Sequence, residues 1–255
     1  MIKLAPIYMI KKTLKAVNNC LDSTLGFRIM PVKTASSVGL VFNTSKKTDP
    51  KEYSAVSGIE GIIPPCQIEV YFRALNNYVK EGDRVLDVGF GTGYGLVLLG
   101  NKATEVYGAD VDKKAYDYCQ RVLAGKHPKL KKLSLYDGYK LDYPDNYFDM
   151  ITCVEVLEHV EDYHRFLDEV LRVSKRGVFL TTPNKRPEYT KADGTPKNYW
   201  HLREWTFAEL DAITRKHGEV EWNCVNGPFE GPFTITKTEQ ADTLDLALFI
   251  KKAAK

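Results

Sequence analysis

A glycine-rich segment directly after an apolar run is the first feature of this sequence that suggests chemistry. Arg84–Val88 reads as a strand, and a helix-compatible segment begins near Tyr94. Between them, glycines stand at alternate positions: Gly89, Gly91 and Gly93. Glycine accepts positive φ and lets a ligand approach the backbone, and a helix N-terminus offers unpaired N–H groups. The pattern predicts a nucleotide-like ligand at the carboxyl end of a parallel strand, although the glycine spacing alone also fits a simple turn.

Two acidic residues strengthen this prediction. Asp87 lies two residues before the first glycine, inside the strand end. Asp110 follows the next predicted strand, Glu105–Ala109, at about the 20-residue offset from which a carboxylate accepts from ribose hydroxyls. Because neighbouring parallel strands end at one edge of a sheet, both acids are expected beside the same ligand. The alternative is that they are surface or capping residues.

A second group of chemistry-bearing residues follows the fourth predicted strand, Phe148–Cys153. Glu155, Glu158 and His159 are spaced so that they would share one face of a helical turn. Two carboxylates and an imidazole above a ligand-binding edge can hold a divalent cation. His201 is the best candidate for a fourth ligand from a distant segment. The same side chains can instead line an acceptor pocket without metal, and a purely structural role is the third possibility.

Alternating strands and helices must position these two groups. After a helix predicted between Pro64 and Tyr78, strands are predicted at 84–88, 105–109, 132–135, 148–153, 178–182, 219–225 and 244–250. Helices are predicted at 94–101, 113–123, 163–173 and 206–216. Such alternation implies a parallel sheet covered by helices on both faces. No clear helix separates the last two strands, which fits an antiparallel pair.

The glycine loop and its acids resemble the first two motifs of the class I S-adenosylmethionine-dependent methyltransferases. The first motif of that family reads much like Val85–Gly93, and its second strand ends in an acid like Asp110. The resemblance covers roughly residues 64–218. It implies an α/β fold with a Rossmann-like seven-stranded sheet, mostly parallel with an antiparallel last strand, and helices on both faces. It also implies S-adenosylmethionine as the cofactor.

The resemblance further implies which residues bind the cofactor. Asp87 would orient the glycine loop and reach the methionine ammonium group, directly or through water. Asp110 would accept from both ribose hydroxyls in charge-assisted hydrogen bonds. Asp137 resembles the family position that accepts from the adenine amino group, although an Asp-Gly pair is also a common turn. The predicted set is Asp87, Gly89, Gly91, Gly93, Asp110, Asp137, Gly138 and Cys153.

The segment after the fourth strand indicates which branch of the family this chain resembles. E-x-x-E-H there, T-T-P-N after strand five and H-x-x-E-W-T before the next helix resemble the small-RNA 3′-end 2′-O-methyltransferases. In that family two glutamates and two histidines bind a cation that grips the terminal hydroxyls. The resemblance would make Glu155, Glu158, His159 and His201 ligands of Mg²⁺ or Mn²⁺, with His159 and Glu155 in catalytic roles. A bound cation lowers the pKa of a hydroxyl and orients it.

The segment before His201 departs from that RNA family. Lys197–Trp200 stand where the family has further histidine and arginine residues. E-x-x-E-H also occurs in methyltransferases that act on sugars, glycolipids and quinone precursors. We therefore predict O-methylation of a hydroxyl on a glycan or small-molecule acceptor, with metal-dependent 2′-O-methylation of an RNA 3′ end as the alternative. Both groups of site residues disfavour a non-catalytic cofactor-binding or partner-binding module, and Asp87 disfavours a nicotinamide-dependent oxidoreductase.

Composition bounds the remaining possibilities. The chain has 255 residues, a formal net charge of +3 and five cysteines. Without a C-x-x-C pair, free thiols in a reducing cytosol are favoured over disulfides or a zinc site. The charge neither requires nor excludes a nucleic acid partner. No apolar run approaches the length of a membrane span and no signal-peptide core is present, so a cytoplasmic location is expected. Residues 1–60 are predicted to form an N-terminal extension or cap and 61–255 the methyltransferase domain.

Overall fold

The computed structural model describes residues 65–228 and 232–253, together with the backbone of two short N-terminal strands. These strands, β1 (Arg28–Pro31) and β2 (Val38–Val41), pair antiparallel. They lie within the segment predicted as an extension or cap, and the rest of that segment lies outside the described residues. Within the described part of the chain, no helix is both long and apolar enough to cross a membrane.

Nine strands of the described chain form one mixed sheet. Five are parallel, in the spatial order β7-β6-β3-β4-β5. The last strand, β11, pairs antiparallel with β7 on one side and with β8 and β9 on the other, and β10 adds to β9 at the edge. The bounds are β3 (Arg84–Val88), β4 (Glu105–Asp110), β5 (Leu130–Leu135), β6 (Met150–Val154), β7 (Gly177–Pro183), β8 (Gly218–Trp222), β9 (Cys224–Asn226), β10 (Thr234–Thr236) and β11 (Thr243–Lys252).

The predicted parallel sheet with an antiparallel last strand is confirmed, and the strand count differs for two local reasons. The single strand predicted at 219–225 is divided at Asn223 into β8 and β9. The Asn223 backbone N–H still donates to the carbonyl of Ala247 on β11, at 2.7 Å, so both halves follow the same partner strand. The short strand β10 lies between the last two predicted strands, where the sequence analysis predicts none.

Helices cover both faces of the sheet and build two apolar cores. Side chains alternate along each strand, so β7 sends Phe179 to one core and Leu180 to the other. Three helices begin at side-chain caps: Asp112 accepts from the backbone of Lys114, Asp162 accepts from the backbone of Arg165, and Thr206 forms a capping box with Glu209. The bounds are α1 (Pro65–Asn77), α2 (Tyr94–Leu99), α3 (Lys113–Val122), α4 (Tyr163–Val173) and α5 (Phe207–Thr214).

Candidate functional site

The glycine loop joins β3 to α2 at the carboxyl edge of the parallel strands. Its three glycines all have positive φ, of 73° at Gly89, 50° at Gly91 and 82° at Gly93. The Gly89 N–H donates to the carbonyl of Ala109 on β4, at 2.8 Å. The Gly91 N–H donates to a carboxylate oxygen of Asp110, also at 2.8 Å. These hydrogen bonds hold the glycine loop against the end of the neighbouring strand β4.

The two acids of this edge have different roles in the structure. Asp110 binds the loop through Gly91 and accepts from the backbone of Asp112 at 2.9 Å. The Asp87 carboxylate is fully buried and accepts instead from the hydroxyls of Tyr71, at 3.1 Å, and Thr152, at 2.5 Å. The expectation that Asp87 orients the glycine loop is therefore wrong, because its oxygens face α1 and β6. Its contact with the cofactor ammonium group stays a prediction.

The buried Asp87 carboxyl should make the stability of the fold depend on pH. Burial raises the pKa of Asp87 to about 7, whereas this carboxyl titrates at about 3.9 in an unfolded chain. The folded chain holds the proton more tightly, so the stabilisation by Asp87 is fully present below about pH 4 and is lost as the pH rises through about 7.

We expect the unfolding free energy of the wild-type protein, relative to Asp87→Asn, to fall by roughly 3 kcal/mol between pH 5 and pH 8. Urea denaturation of both proteins at the two pH values measures this difference. Taking the difference between the two proteins removes the contribution of groups that titrate equally in both. A difference that does not change with pH would contradict the raised pKa.

Asp137 and Gly138, two further residues of the predicted cofactor set, follow β5 at the same edge of the sheet. The Asp137 side chain is exposed and accepts from the backbone of Tyr139 and Lys140, at 2.8 and 2.6 Å. Gly138 lies opposite Val111, since a Cβ on Gly138 would be 3.6 Å from the Val111 side chain. Val111, which directly follows Asp110, is 60% exposed.

Cys153, which completes the predicted cofactor set, is buried on β6. Its thiol is 1% exposed, and burial raises its pKa. The thiol therefore packs as an apolar group below the sheet edge. A role with the cofactor stays a prediction for this residue.

Three of the four predicted metal ligands come together in the structure. Glu158, His159 and His201 each offer a ligand atom, and these atoms lie within 4.8 Å of one another. The two imidazole rings are 5.1 Å apart, edge to face, and a Glu158 oxygen lies 3.8 Å from His159 Nε2. Ligands about 2.1 Å from one ion in tetrahedral geometry lie about 3.4 Å apart, so a cation would require the ligand atoms to approach one another by up to about 1.4 Å.

Glu155 does not share a helical face with this cluster. It precedes the short 3-10 turn Leu157–His159 and has a φ of 55°, in the left-handed region. Its carboxylate accepts from the Thr181 hydroxyl at 2.7 Å, whereas Glu158 accepts from the Thr182 hydroxyl at 3.1 Å. Consecutive side chains of a strand point to opposite faces, so the two glutamates are held from opposite sides of the sheet edge. The helical spacing assumed from the sequence is wrong here because the chain leaves β6 through a left-handed turn.

In both His159 and His201, Nδ1 forms a hydrogen bond, so Nε2 is the ring nitrogen that faces the cluster. His159 Nδ1 lies 2.8 Å from the Trp200 carbonyl, which can only accept, so Nδ1 carries the proton. His201 Nδ1 lies 2.7 Å from a carboxylate oxygen of Glu204. Metal-binding histidines typically donate their second ring N–H to such partners. The Asn198 amide, 2.9 Å from His201 Nε2, would have to move aside for an ion.

The electrostatics of the cluster suit a cation. Burial raises the pKa of Glu158 to about 7, and the nearby His201 opposes this shift. Burial lowers the pKa of His159, which favours the neutral imidazole that a metal requires. Burial, Asp245 and Glu158 together raise the pKa of Glu155. A positive ion would offset the electrostatic repulsion between the carboxylates of Glu155 and Glu158.

Comparisons with known proteins identify what this chain is similar to. Residues 86–182 match the family described as a methyltransferase domain. A probable S-adenosylmethionine-dependent methyltransferase of Mycolicibacterium smegmatis is 32% identical over 157 residues, which cover 60% of this chain and 58% of that protein. A ubiquinone biosynthesis O-methyltransferase of Proteus mirabilis is 30% identical over 118 residues, 43% of this chain and 48% of that protein. The chain spans less than two thirds of the length of these curated relatives.

A solved structure supports the fold. The YcgJ protein of Bacillus subtilis superposes with a TM-score of 0.57 at 15% identity, over 74% of this chain and all of that one. At this identity the likeness shows the fold alone. The glycine loop with its acid, the order of the strands and the sequence matches together make this chain similar to the S-adenosylmethionine-dependent methyltransferases.

Proposed function

We propose that this protein transfers the methyl group of S-adenosylmethionine to a hydroxyl oxygen of a sugar or another small molecule. The family implies this cofactor, which supplies a methyl group on a positively charged sulfur. The observation that carries the acceptor is the convergence of Glu158, His159 and His201 at the same sheet edge as the glycine loop. The O-methyltransferase name of one relative also favours oxygen.

The residues around the glycine loop fit a nucleoside cofactor. The Thr92 hydroxyl, within the loop, is buried and has no hydrogen-bond partner among the described residues. Each Asp110 oxygen accepts one backbone N–H and keeps a second lone pair for a ribose hydroxyl. The exposed Val111 side chain offers an apolar surface beside Gly138. An unpartnered hydroxyl, free acceptor capacity and an exposed apolar side chain are what a bound nucleoside would satisfy.

Asp110→Ala is expected to weaken the binding of S-adenosylhomocysteine by about 1–3 kcal/mol, the loss of hydrogen bonds to a charged group. Calorimetric titration measures this loss. Asp112→Ala is the matched control, because Asp112 caps α3 through the backbone of Lys114. We expect the control to lower stability by about 1 kcal/mol and to keep the wild-type affinity. Unchanged affinity in Asp110→Ala would remove Asp110 from the cofactor site.

A cation bound by Glu158, His159 and His201 would activate the acceptor hydroxyl. One carboxylate and two imidazoles suit Mn²⁺ better than Mg²⁺, which prefers oxygen ligands. An ion held by Glu158, His159 and His201 would lower the pKa of the acceptor hydroxyl and orient it. His159, whose pKa is lowered by burial, would be a neutral imidazole able to accept the hydroxyl proton if no ion binds. Glu155, the other residue predicted to be catalytic, is the weaker candidate, because it is held by Thr181 on the opposite side of the sheet edge and burial raises its pKa.

The experiment that tests the proposal is titration of the protein with S-adenosylhomocysteine, followed by transfer of labelled methyl groups to acceptors. Methyl glycosides, catechol-type phenols and an RNA oligonucleotide with free 3′-terminal hydroxyls represent the acceptor classes. Each assay is run with Mn²⁺ and with EDTA. Transfer to the glycosides or phenols supports the proposal. Transfer to RNA alone would establish the 2′-O-methylation alternative, and failure to bind S-adenosylhomocysteine would refute cofactor use by this chain.

A further inference from the structure

The segment between β7 and α5, residues 185–203, combines exposed apolar side chains with an excess of positive charge. We refer to this segment as the arm. Five large hydrophobic side chains are exposed in the described part of the chain, and three of them lie in the arm: Tyr199 is 80% exposed, Leu202 56% and Tyr189 52%. The arm also contains five basic and two acidic residues, an excess as large as the net charge of the whole chain. Exposed apolar side chains that are grouped and surrounded by polar residues mark an interaction site.

The first half of the arm is a narrow hairpin with one outward face. Thr190 pairs antiparallel with Pro196, and the N–H of Lys197 donates to the carbonyl of Tyr189 at 2.7 Å. Side chains alternate between the two faces of such a pair. Pro196 is buried, whereas Lys197 and Lys191 are exposed. The hairpin therefore turns its two lysines toward solvent.

The second half of the arm is hydrogen-bonded to the cluster of Glu158, His159 and His201. The carbonyl of Trp200 lies 2.8 Å from His159 Nδ1, and the N–H of Leu202 donates to the carbonyl of Glu158 at 2.9 Å. The ring of Tyr199 packs edge to face against Trp200, with the ring centroids 5.0 Å apart. The backbone that presents these exposed side chains is therefore the backbone that fixes the cluster.

The composition of the arm fits the surface of a membrane that contains anionic lipids. Negative headgroups attract lysine and arginine near such a surface. Tyrosine and tryptophan rings are preferred at the boundary between headgroups and acyl chains, and an exposed leucine gains free energy when it leaves water for hydrocarbon. Single-stranded nucleic acid would also attract the lysines and stack on the tyrosines, but it offers Leu202 no comparable environment.

We propose that the arm binds the surface of an anionic lipid membrane, with Tyr199 and Leu202 entering the headgroup region and the hairpin lysines contacting the headgroups. This contact goes beyond the proposed function, because it concerns where the protein binds and needs neither cofactor nor acceptor. It would hold the cluster of Glu158, His159 and His201 beside the lipid surface, within reach of acceptors that are anchored there.

Sedimentation with lipid vesicles tests this contact on the full chain. One set of vesicles contains equal parts of phosphatidylcholine and phosphatidylglycerol, and the other contains phosphatidylcholine alone. We expect the wild type to bind the anionic vesicles at least about tenfold more tightly than the neutral ones. Leu202→Ser and Lys191→Glu should each weaken binding to the anionic vesicles by about tenfold. Both side chains are exposed, so neither variant should disturb the fold.

Two exposed residues of β5 provide the matched controls. Leu135→Ser and Lys131→Glu repeat the same two substitutions, and β5 is separated from β7 by three strands of the sheet. Both controls should bind the anionic vesicles as the wild type does. Weakening by the arm variants alone would therefore locate the contact in the arm.

Vesicle binding that is equal in the wild type, Leu202→Ser and Lys191→Glu would overturn the membrane contact, as would equal binding to both kinds of vesicle or no binding at all. A single-stranded RNA oligonucleotide is tested in parallel, and binding of RNA without binding of vesicles would assign the arm to nucleic acid instead. The affinity for S-adenosylhomocysteine is measured separately. Its absence in the wild type would refute the proposed function and not the membrane contact, whereas its presence without vesicle binding would refute the membrane contact only.

Discussion

Gly91→Val should weaken the binding of S-adenosylhomocysteine by about ten- to a hundredfold. Gly91 has a φ of 50°, and a β-branched residue in this region is a genuine outlier. A valine would either carry strain of about 1–3 kcal/mol or move the loop away from Asp110 and break the hydrogen bond that joins them. A bond to a charged group is worth about 1.5–3 kcal/mol, and 1.4 kcal/mol is about tenfold in affinity.

A glycine elsewhere in the chain provides the matched control for backbone strain. Gly125 follows α3, has a φ of 75°, and has no atom within 4 Å of the position that a Cβ would occupy. Gly125→Val therefore introduces the same left-handed strain away from the site. We expect it to lower the unfolding free energy and to keep the wild-type affinity in calorimetric titration. Wild-type affinity in Gly91→Val would show that the glycine loop does not bind the cofactor.

The part of the fold that the sequence predicts well is the part dictated by local patterns. β3 and α4 have the predicted bounds, Arg84–Val88 and Tyr163–Val173. The strand is an uninterrupted buried run that ends at a glycine, and the helix begins at an Asp162 cap and carries a clear apolar face. Both signals lie within a few residues of the element itself.

The differences arise where distant parts of the chain decide the structure. The interruption at Asn223 depends on pairing with β11. The Asn223 amide also donates to the hydroxyl of Tyr78, at 2.7 Å, and Tyr78 lies in the N-terminal half of the chain. The role of Asp87 was assigned to the glycine loop because the donor from α1, Tyr71, cannot be identified from local sequence. Helical spacing failed for Glu155 because the residue takes a left-handed turn at the end of β6.

The candidate metal site, too, could be predicted only in part from the local sequence. E-x-x-E-H and H-x-x-E are visible in the sequence, and the structure brings Glu158, His159 and His201 together. The hydrogen bonds that fix the two imidazoles come from the Trp200 carbonyl and from Glu204. A sequence motif does not show which backbone carbonyl a side chain will contact. The sequence therefore predicts candidate ligands but not the orientation of their imidazole rings.

His201→Ala should abolish high-affinity binding of Mn²⁺ and reduce methyl transfer by at least about a hundredfold, since one of the three proposed ligands is lost. Excess Mn²⁺ should restore part of the activity. The affinity for S-adenosylhomocysteine should not change, because Asp110 and the glycine loop are untouched. His164→Ala is the matched control, since His164 is exposed on α4, and it should behave as the wild type in all three measurements.

Glu204→Gln separates a metal site from a metal-free acceptor pocket. Glu204 accepts from His201 Nδ1 and so fixes which nitrogen of His201 faces the cluster, but it is not among the ligand atoms that converge. Loss of such a partner typically weakens metal affinity by about 10–100-fold. If Glu204→Gln loses Mn²⁺ affinity and its activity returns as Mn²⁺ is raised, the imidazole acts as a ligand. If EDTA leaves the wild type fully active and Mn²⁺ does not rescue either variant, Glu158, His159 and His201 contact the acceptor directly and the chemistry needs no ion.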